Sequence, residues 1–183
     1  MQQKKSTFTV KRLAYCGFFA ALLTICAWMT VPSTIPFTMQ TFAVFLTAAL
    51  LGWKLGSLSV LVYILLGAVG VPVFSGFRGG FGVLLGTTGG YIVGFLVSAP
   101  VTALLINRLG RTLPALCLAM LAGLVVCYAF GTVWFLLVYT HNTGAIGIHI
   151  VLSKCVYPYI LPDCAKILLA ALLSRRLKRF VTL

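Results

Sequence analysis

The stretch Tyr157-Pro-Tyr-Ile-Leu-Pro-Asp-Cys-Ala-Lys166 decides how this chain is read. Asp163 is its sole acidic residue, set in apolar sequence, and Lys166 follows three residues later. On a helix such a pair shares a face, about 4.5 Å apart along the axis. Pro162 suits a first helical turn, where a missing N–H costs nothing. The pair is therefore expected to project together from the start of the last apolar helix. A charge at membrane depth is costly and by default faces a cavity, a partner or a substrate. The other reading is an ion pair that only fixes helix packing. With no second acid available, a polar ligand site is favoured.

The surrounding composition sets the class. Of 183 residues, 61% are apolar and only 8% are charged, with a mean hydropathy of +1.11. A soluble domain carries about 25% charged residues. An integral membrane protein of one domain, residues 1–183, is expected. The net charge of +13 does not point to nucleic acid, because the charges flank apolar runs and do not line one soluble surface. The six cysteines lie mostly inside apolar segments with no C-x-x-C pair, so small buried thiols are expected in place of disulfides or zinc.

Apolar runs predict six spans, at about 13–31, 39–52, 55–70, 88–106, 113–138 and 157–174. Residues 1–12 form a basic leader. The N-terminal run is long enough to span and shows no small-residue cleavage site, so it reads as the first helix and not as a signal peptide. The second and third spans are short for a core of about 30 Å. They are either shielded by neighbours or end below the surface to leave room for a pocket. Loops are expected at 32–38, at 71–90 and at 139–156, the last carrying His141 and His149.

Lys4, Lys5, Lys11, Arg12, Lys54, Arg108, Arg111, Arg175, Arg176, Lys178 and Arg179 fall on one side of this topology. Arg78 and Lys154 fall on the other, and Lys166 lies within the last span. The positive-inside rule then puts both termini in the cytoplasm and the three loops outside.

The outer loop at 71–90, VPVFSGFRGGFGVLLGTTGG, is rich in glycine. Glycine permits unusual backbone angles and close approach to a ligand. Non-helical backbone at membrane depth is tolerated when buried in protein or lining a cavity. Arg78 within it offers a fork suited to a carboxylate, or else is a solvated loop residue. No lysine follows these glycines in a G-x-x-x-x-G-K-[ST] pattern, so ATP hydrolysis by this chain alone is not indicated. The first span carries the small pair Gly17 and Ala21, fit either for docking another membrane protein or for internal packing. His141 and His149 lack helical spacing and a nearby carboxylate, so no metal site is expected. Tyr91, Tyr157 and Tyr159 belong either to an interfacial belt or to the wall of a ligand pocket.

Five segments together carry a family resemblance: Pro36-Phe-Thr-Met-Gln-Thr-Phe42, Leu51-Gly-Trp-Lys-Leu-Gly56, Leu65-Leu-Gly-Ala-Val-Gly-Val-Pro-Val-Phe74, Gly79-Gly-Phe-Gly-Val-Leu-Leu-Gly-Thr-Thr-Gly-Gly-Tyr91 and Pro162-Asp-Cys-Ala-Lys166. The chain resembles BioY, the biotin-specific substrate-binding S components of energy-coupling-factor transporters, over about residues 13–175. Thr87 stands where many members have proline, in a Gly-Pro-Thr-Gly-Gly-Tyr pattern. The long outer loop with two histidines is not typical of the family.

The resemblance implies an all-α, six-helix membrane bundle that captures biotin from outside. It implies docking, through Gly17 and Ala21, on a membrane coupling subunit carried by two cytoplasmic ATPases. It also implies that the segment near Pro36–Gln40 and the Gly-rich loop, including Thr88, close over the pocket.

Biotin offers two ureido N–H donors, one carbonyl acceptor and a carboxylate on a flexible tail. Asp163 is expected to accept from the ureido N–H groups. Lys166 is expected to donate to the ureido carbonyl, or to neutralise Asp163 when the pocket is empty. Arg78, or backbone N–H groups near Gly89 and Gly90, are expected to hold the tail, with Phe74 and Tyr91 packed on the rings. No cofactor is implied. The alternative is a stand-alone secondary transporter of a small anion, for which inverted repeats would be the mark; none is clear. An enzyme would need a second carboxylate, a metal set or a nucleophile–base pair, which the chain lacks.

Overall fold

A computed structural model describes residues 10–31 and 36–181. Lys4, Lys5 and most of the leader lie outside the described residues, as does the centre of the first loop, residues 32–35. The elements in order are α1 (Val10–Trp28), β1 (Thr30–Val31), β2 (Phe37–Thr38), α2 (Gln40–Ala68), α3 (Phe81–Leu85), α4 (Gly89–Leu109), α5 (Leu113–Thr143), α6 (Ile148–Cys155) and α7 (Tyr157–Leu177). Five of these seven helices are long and apolar enough to cross a membrane: α1, α2, α4, α5 and α7. The chain is a multi-pass membrane protein.

The 29-residue α2 is not one rod. At Gly52 the backbone takes φ 76° and ψ −177°, a conformation that favours glycine. The amide of Gln40 donates to the Tyr63 hydroxyl at 2.7 Å, across a separation of 23 residues. On a straight helix those residues would lie about 34 Å apart. A Cβ on Gly56 would stand 3.2 Å from the Ala48 Cα. The chain therefore reverses at Gly52 into two antiparallel arms, 40–51 and 53–68. At 1.5 Å per residue they are about 18 and 24 Å long. Gln40 and Thr41 at the start of the first arm line a cavity, and residues 43–51 are all buried by neighbouring helices, so both features named from the sequence are present in this arm.

Small residues let the helices close on one another, as association in lipid requires. Ala43, Ala48, Ala49, Ala99, Ala103, Ala119, Ala170 and Ala171 are buried in the core. A Cβ on Gly123 would meet the Thr102 Oγ1 at 2.0 Å, so α4 and α5 approach too closely there for any side chain. Large apolar residues such as Leu118, Val125, Val133 and Leu137 of α5 remain exposed, as a lipid-facing surface demands.

Four expectations need correction. Pro162 lies inside α7, not in its first turn; the helix starts at Tyr157, with Pro158 in its first turn. The loop expected at 139–156 is largely helical, because α5 continues to Thr143 and α6 occupies Ile148–Cys155. The Gly-rich loop contains the short α3. The fold is all-α as expected, but the described residues form seven helices where six were expected, with Thr30 paired to Thr38 and Val31 to Phe37 in a two-residue antiparallel ladder.

Candidate functional site

The cavity lies where α2, α4, α5 and α7 meet the ladder and the Gly-rich loop. It offers about 110 Å³ to the centres of water molecules. A single water needs about 10–15 Å³ on that measure, so the space suits a small organic molecule.

Asp163 and Lys166 are both buried, at 4% and 6% exposure. Their side chains pair at 2.8 Å. Two further donors reach the carboxylate: the Thr41 hydroxyl at 2.9 Å to Oδ1, and the Tyr128 hydroxyl to Oδ2. Lys166 also donates to the Thr38 carbonyl at 2.6 Å, and its ammonium sits 4.0 Å from the centre of the Phe37 ring. Desolvating two charges costs several kcal/mol per ion unless the remaining lone pairs and protons are satisfied. Here Thr41 of α2, Tyr128 of α5 and Thr38 of β2 supply those partners.

A second polar chain supports the first. The Thr38 hydroxyl donates to Gln40 Oε1 at 2.9 Å, and Gln40 donates onward to Tyr63. Phe37 also stacks on Tyr159, with ring centres 6.4 Å apart. The β2 strand is thus held on the cavity by polar bonds at Thr38 and by ring contacts at Phe37.

Of the residues expected from sequence, the structure brings Asp163, Lys166, Gln40, Phe74, Arg78, Thr88 and Tyr91 to the cavity wall. Arg78 is exposed, while Phe74 and Tyr91 are buried. Gly89 and Gly90 are not in the wall. A Cβ on Gly89 would strike the Leu84 carbonyl oxygen at 1.8 Å, and one on Gly90 would strike the Trp134 Cβ at 2.1 Å. The Gly89 N–H is already bonded to the Gly86 carbonyl. These two glycines are where α4 packs against α3 and α5.

Of the three tyrosines singled out in the sequence, Tyr91 and Tyr159 line the cavity, whereas Tyr157 is exposed. Gly17 and Ala21 lie on the exposed face of α1, and nothing comes within 4 Å of a Cβ built on Gly17. The helix packs inward through Phe19, Ala20, Leu23 and Ala27 instead. Internal packing is therefore not the reason for that small pair. His141 and His149 are exposed, and among the described residues no cluster of His, Cys, Asp or Glu suits a metal.

Sequence reasoning missed Thr41 and Tyr128. Tyr128 lies 35 residues from Asp163 on another helix. The available signal was a hydroxyl in the middle of an apolar span, which needs a partner when buried. Cys127 and Cys155 also line the cavity, and Cys127 Sγ contacts the Tyr91 carbonyl at 3.6 Å.

Next to Ser75 of the cavity wall, the end of α1 and β1 are tied to the Gly-rich loop. The Trp28 indole donates to the Pro72 carbonyl at 2.9 Å, and its ring lies 5.0 Å from that of Phe77. The Thr30 and Ser75 hydroxyls bond at 2.8 Å.

Comparison with known proteins gives a consistent set of likenesses. The model of the BioY family matches residues 1–183. The chain is 40% identical over 171 residues to "Biotin transporter BioY" of Thermotoga maritima, covering 93% of this chain and 97% of that one. It is 33% identical over 179 residues to the protein of the same description from Rhodobacter capsulatus, covering 93% and 94%. A solved structure described as the S-component for biotin from an ECF-type ABC transporter shares the fold, with a TM-score of 0.81 at 24% identity, over 98% of this chain and 95% of that one.

Proposed function

The chain belongs to the BioY family, and from that premise we propose that it captures biotin as the substrate-binding subunit of an energy-coupling-factor transporter. The observation that carries the reading is the buried Asp163–Lys166 pair opening on a cavity of ligand size. The carboxylate already takes three donors, from Thr41, Lys166 and Tyr128. An ionised carboxylate has about four lone-pair sites, and an ammonium has three N–H donors. One acceptor site on Asp163 and one N–H on Lys166 therefore remain for a ligand. They match the adjacent N–H and C=O along one edge of a cyclic urea. Tyr91, Phe95 and Phe74 supply flat apolar walls for fused rings, and exposed Arg78 takes the tail carboxylate at the rim. Thr88 and Gln40 complete the wall.

The two arms of α2 and the other four long helices make six crossings. Both termini face the cytoplasm, on the support of eleven basic residues at one end against two at the other. The exposed face of α1 around Gly17 and Ala21 then docks on a coupling subunit that two ATPases drive.

Titration of the purified chain with biotin and with dethiobiotin tests capture. Liposomes containing this chain alone, and then with coupling and ATPase subunits, test the transport role. Accumulation that requires ATP and the added subunits supports the proposal. Accumulation by the chain alone, driven by an ion gradient, overturns it in favour of a secondary transporter.

A further inference from the structure

The end of the bundle away from the cavity carries a cluster that ligand capture does not use. It is built on the α2 turn, residues 49–55. The Arg111 guanidinium donates to the Ala49 carbonyl at 2.8 Å, and the Lys178 ammonium to the Leu50 carbonyl at 2.9 Å. Arg12 of α1 and Lys54 of the turn line a surface cleft with Leu51, Gly52, Trp53 and Leu55. Four cations thus converge on one turn, from α1, from the turn itself, from the α4–α5 connection and from the end of α7. No Asp or Glu side chain can balance them, because Asp163 is the chain's sole acid and is held by Lys166.

The environment is unfavourable for these charges. Partial desolvation lowers the Arg111 pKa, although the residue reaches the surface. Burial lowers that of Lys178 too, and the Arg111 charge lowers it further. The carbonyls they bond are neutral dipoles, so the cluster keeps its full charge.

We propose that this cleft binds the phosphate of an anionic phospholipid, with Arg12 and Lys54 as the contacting cations and Arg111 and Lys178 as the field behind them. A lipid fits better than free phosphate for two reasons. Leu13, next to Arg12 on α1, is an exposed apolar residue that an acyl chain would cover. Trp53 is 45% exposed, with the Lys54 ammonium 5.2 Å from its ring centre, a pairing suited to the headgroup level. Basic pockets between membrane helices are known headgroup sites.

Native mass spectrometry of the full chain in detergent tests this, with phosphatidylglycerol or phosphatidylcholine added at equal concentration. The expected result is at least fivefold greater retention of phosphatidylglycerol. Arg12→Gln with Lys54→Gln should abolish that preference. Arg175→Gln with Arg176→Gln, exposed basic residues of the same end, should keep it. Biotin titration of each variant should be unchanged, which verifies folding. Equal retention of the two lipids by the unaltered chain overturns the site. Equal loss in the Arg175/Arg176 variant also overturns it, because general attraction to a basic surface would then suffice. Displacement of phosphatidylglycerol by millimolar inorganic phosphate overturns the lipid as the occupant.

Discussion

The two ends of the bundle both hold cations against backbone carbonyls, one end burying its cation and the other leaving Arg111 exposed and Lys178 half-buried. Lys166, under the ladder, has a carboxylate at 2.8 Å, a carbonyl at 2.6 Å and an aromatic face. Arg111 and Lys178, at the α2 turn, each bond a carbonyl, with no acid side chain available to either. The first arrangement is nearly neutral and fully ordered, with hydrogen-bonding capacity left over inside a cavity. The second retains its charge close to the surface. Charge balance separates a cavity for a small polar molecule from a surface that attracts an anion.

Substitutions at the two lysines sharpen that contrast most. Lys166→Met leaves Asp163 buried without its cation, and breaking a buried pair costs about 3–5 kcal/mol. Thermal melting of the purified protein should show a large destabilisation. Lys178→Met removes one bond from a half-buried ammonium and relieves repulsion from Arg111, so its loss should fall at or below the low end for a charged hydrogen bond, about 1.5 kcal/mol. Similar losses at both positions would break the comparison.

Tyr128→Phe comes next. It removes one donor from the Asp163 carboxylate, and a hydrogen bond to a charged group is worth about 1.5–3 kcal/mol. Titration should show biotin affinity reduced by roughly tenfold or more.

Glycines give a third contrast. Gly89→Ala drives a Cβ into the Leu84 carbonyl, and overpacking of this kind costs about 1–3 kcal/mol. Gly17→Ala enters open space and should leave melting and biotin binding unchanged. The double change Gly17→Leu with Ala21→Leu should still bind biotin while losing ATP-dependent uptake with the coupling and ATPase subunits.

Arg78→Gln should have the smallest effect. Exposed ion pairs are worth about 0.2–1 kcal/mol, so titration should show at most a few-fold weaker binding. A loss above tenfold would mean that the loop closes over Arg78 when ligand is bound.

The long helices were legible because hydropathy reports them directly. The reversal was legible too, as a turn at Trp53-Lys54 between the second and third spans, although the residue that turns the chain is Gly52, one place earlier. The helices α3 and α6 were not, because α3 is only five residues long in a Gly-rich stretch and α6 only eight, and packing orders them, α3 on α2 and α4, α6 on α5 and α7. Within the site, the Asp163–Lys166 spacing is local and could be read. The partners Thr41 and Tyr128 come from distant turns of other helices, which spacing cannot reach. Gly89 and Gly90 misled for a related reason: glycine marks close approach, but the sequence does not say whether a ligand or another helix does the approaching.

The most direct test of the central claim is calorimetric titration of biotin into the purified chain and its Asp163→Asn variant, with the melting transition of each recorded alongside. A cooperatively melting variant whose affinity falls at least tenfold, about 1.4 kcal/mol, is the predicted result. A folded variant that binds biotin as tightly as the original chain would contradict the account.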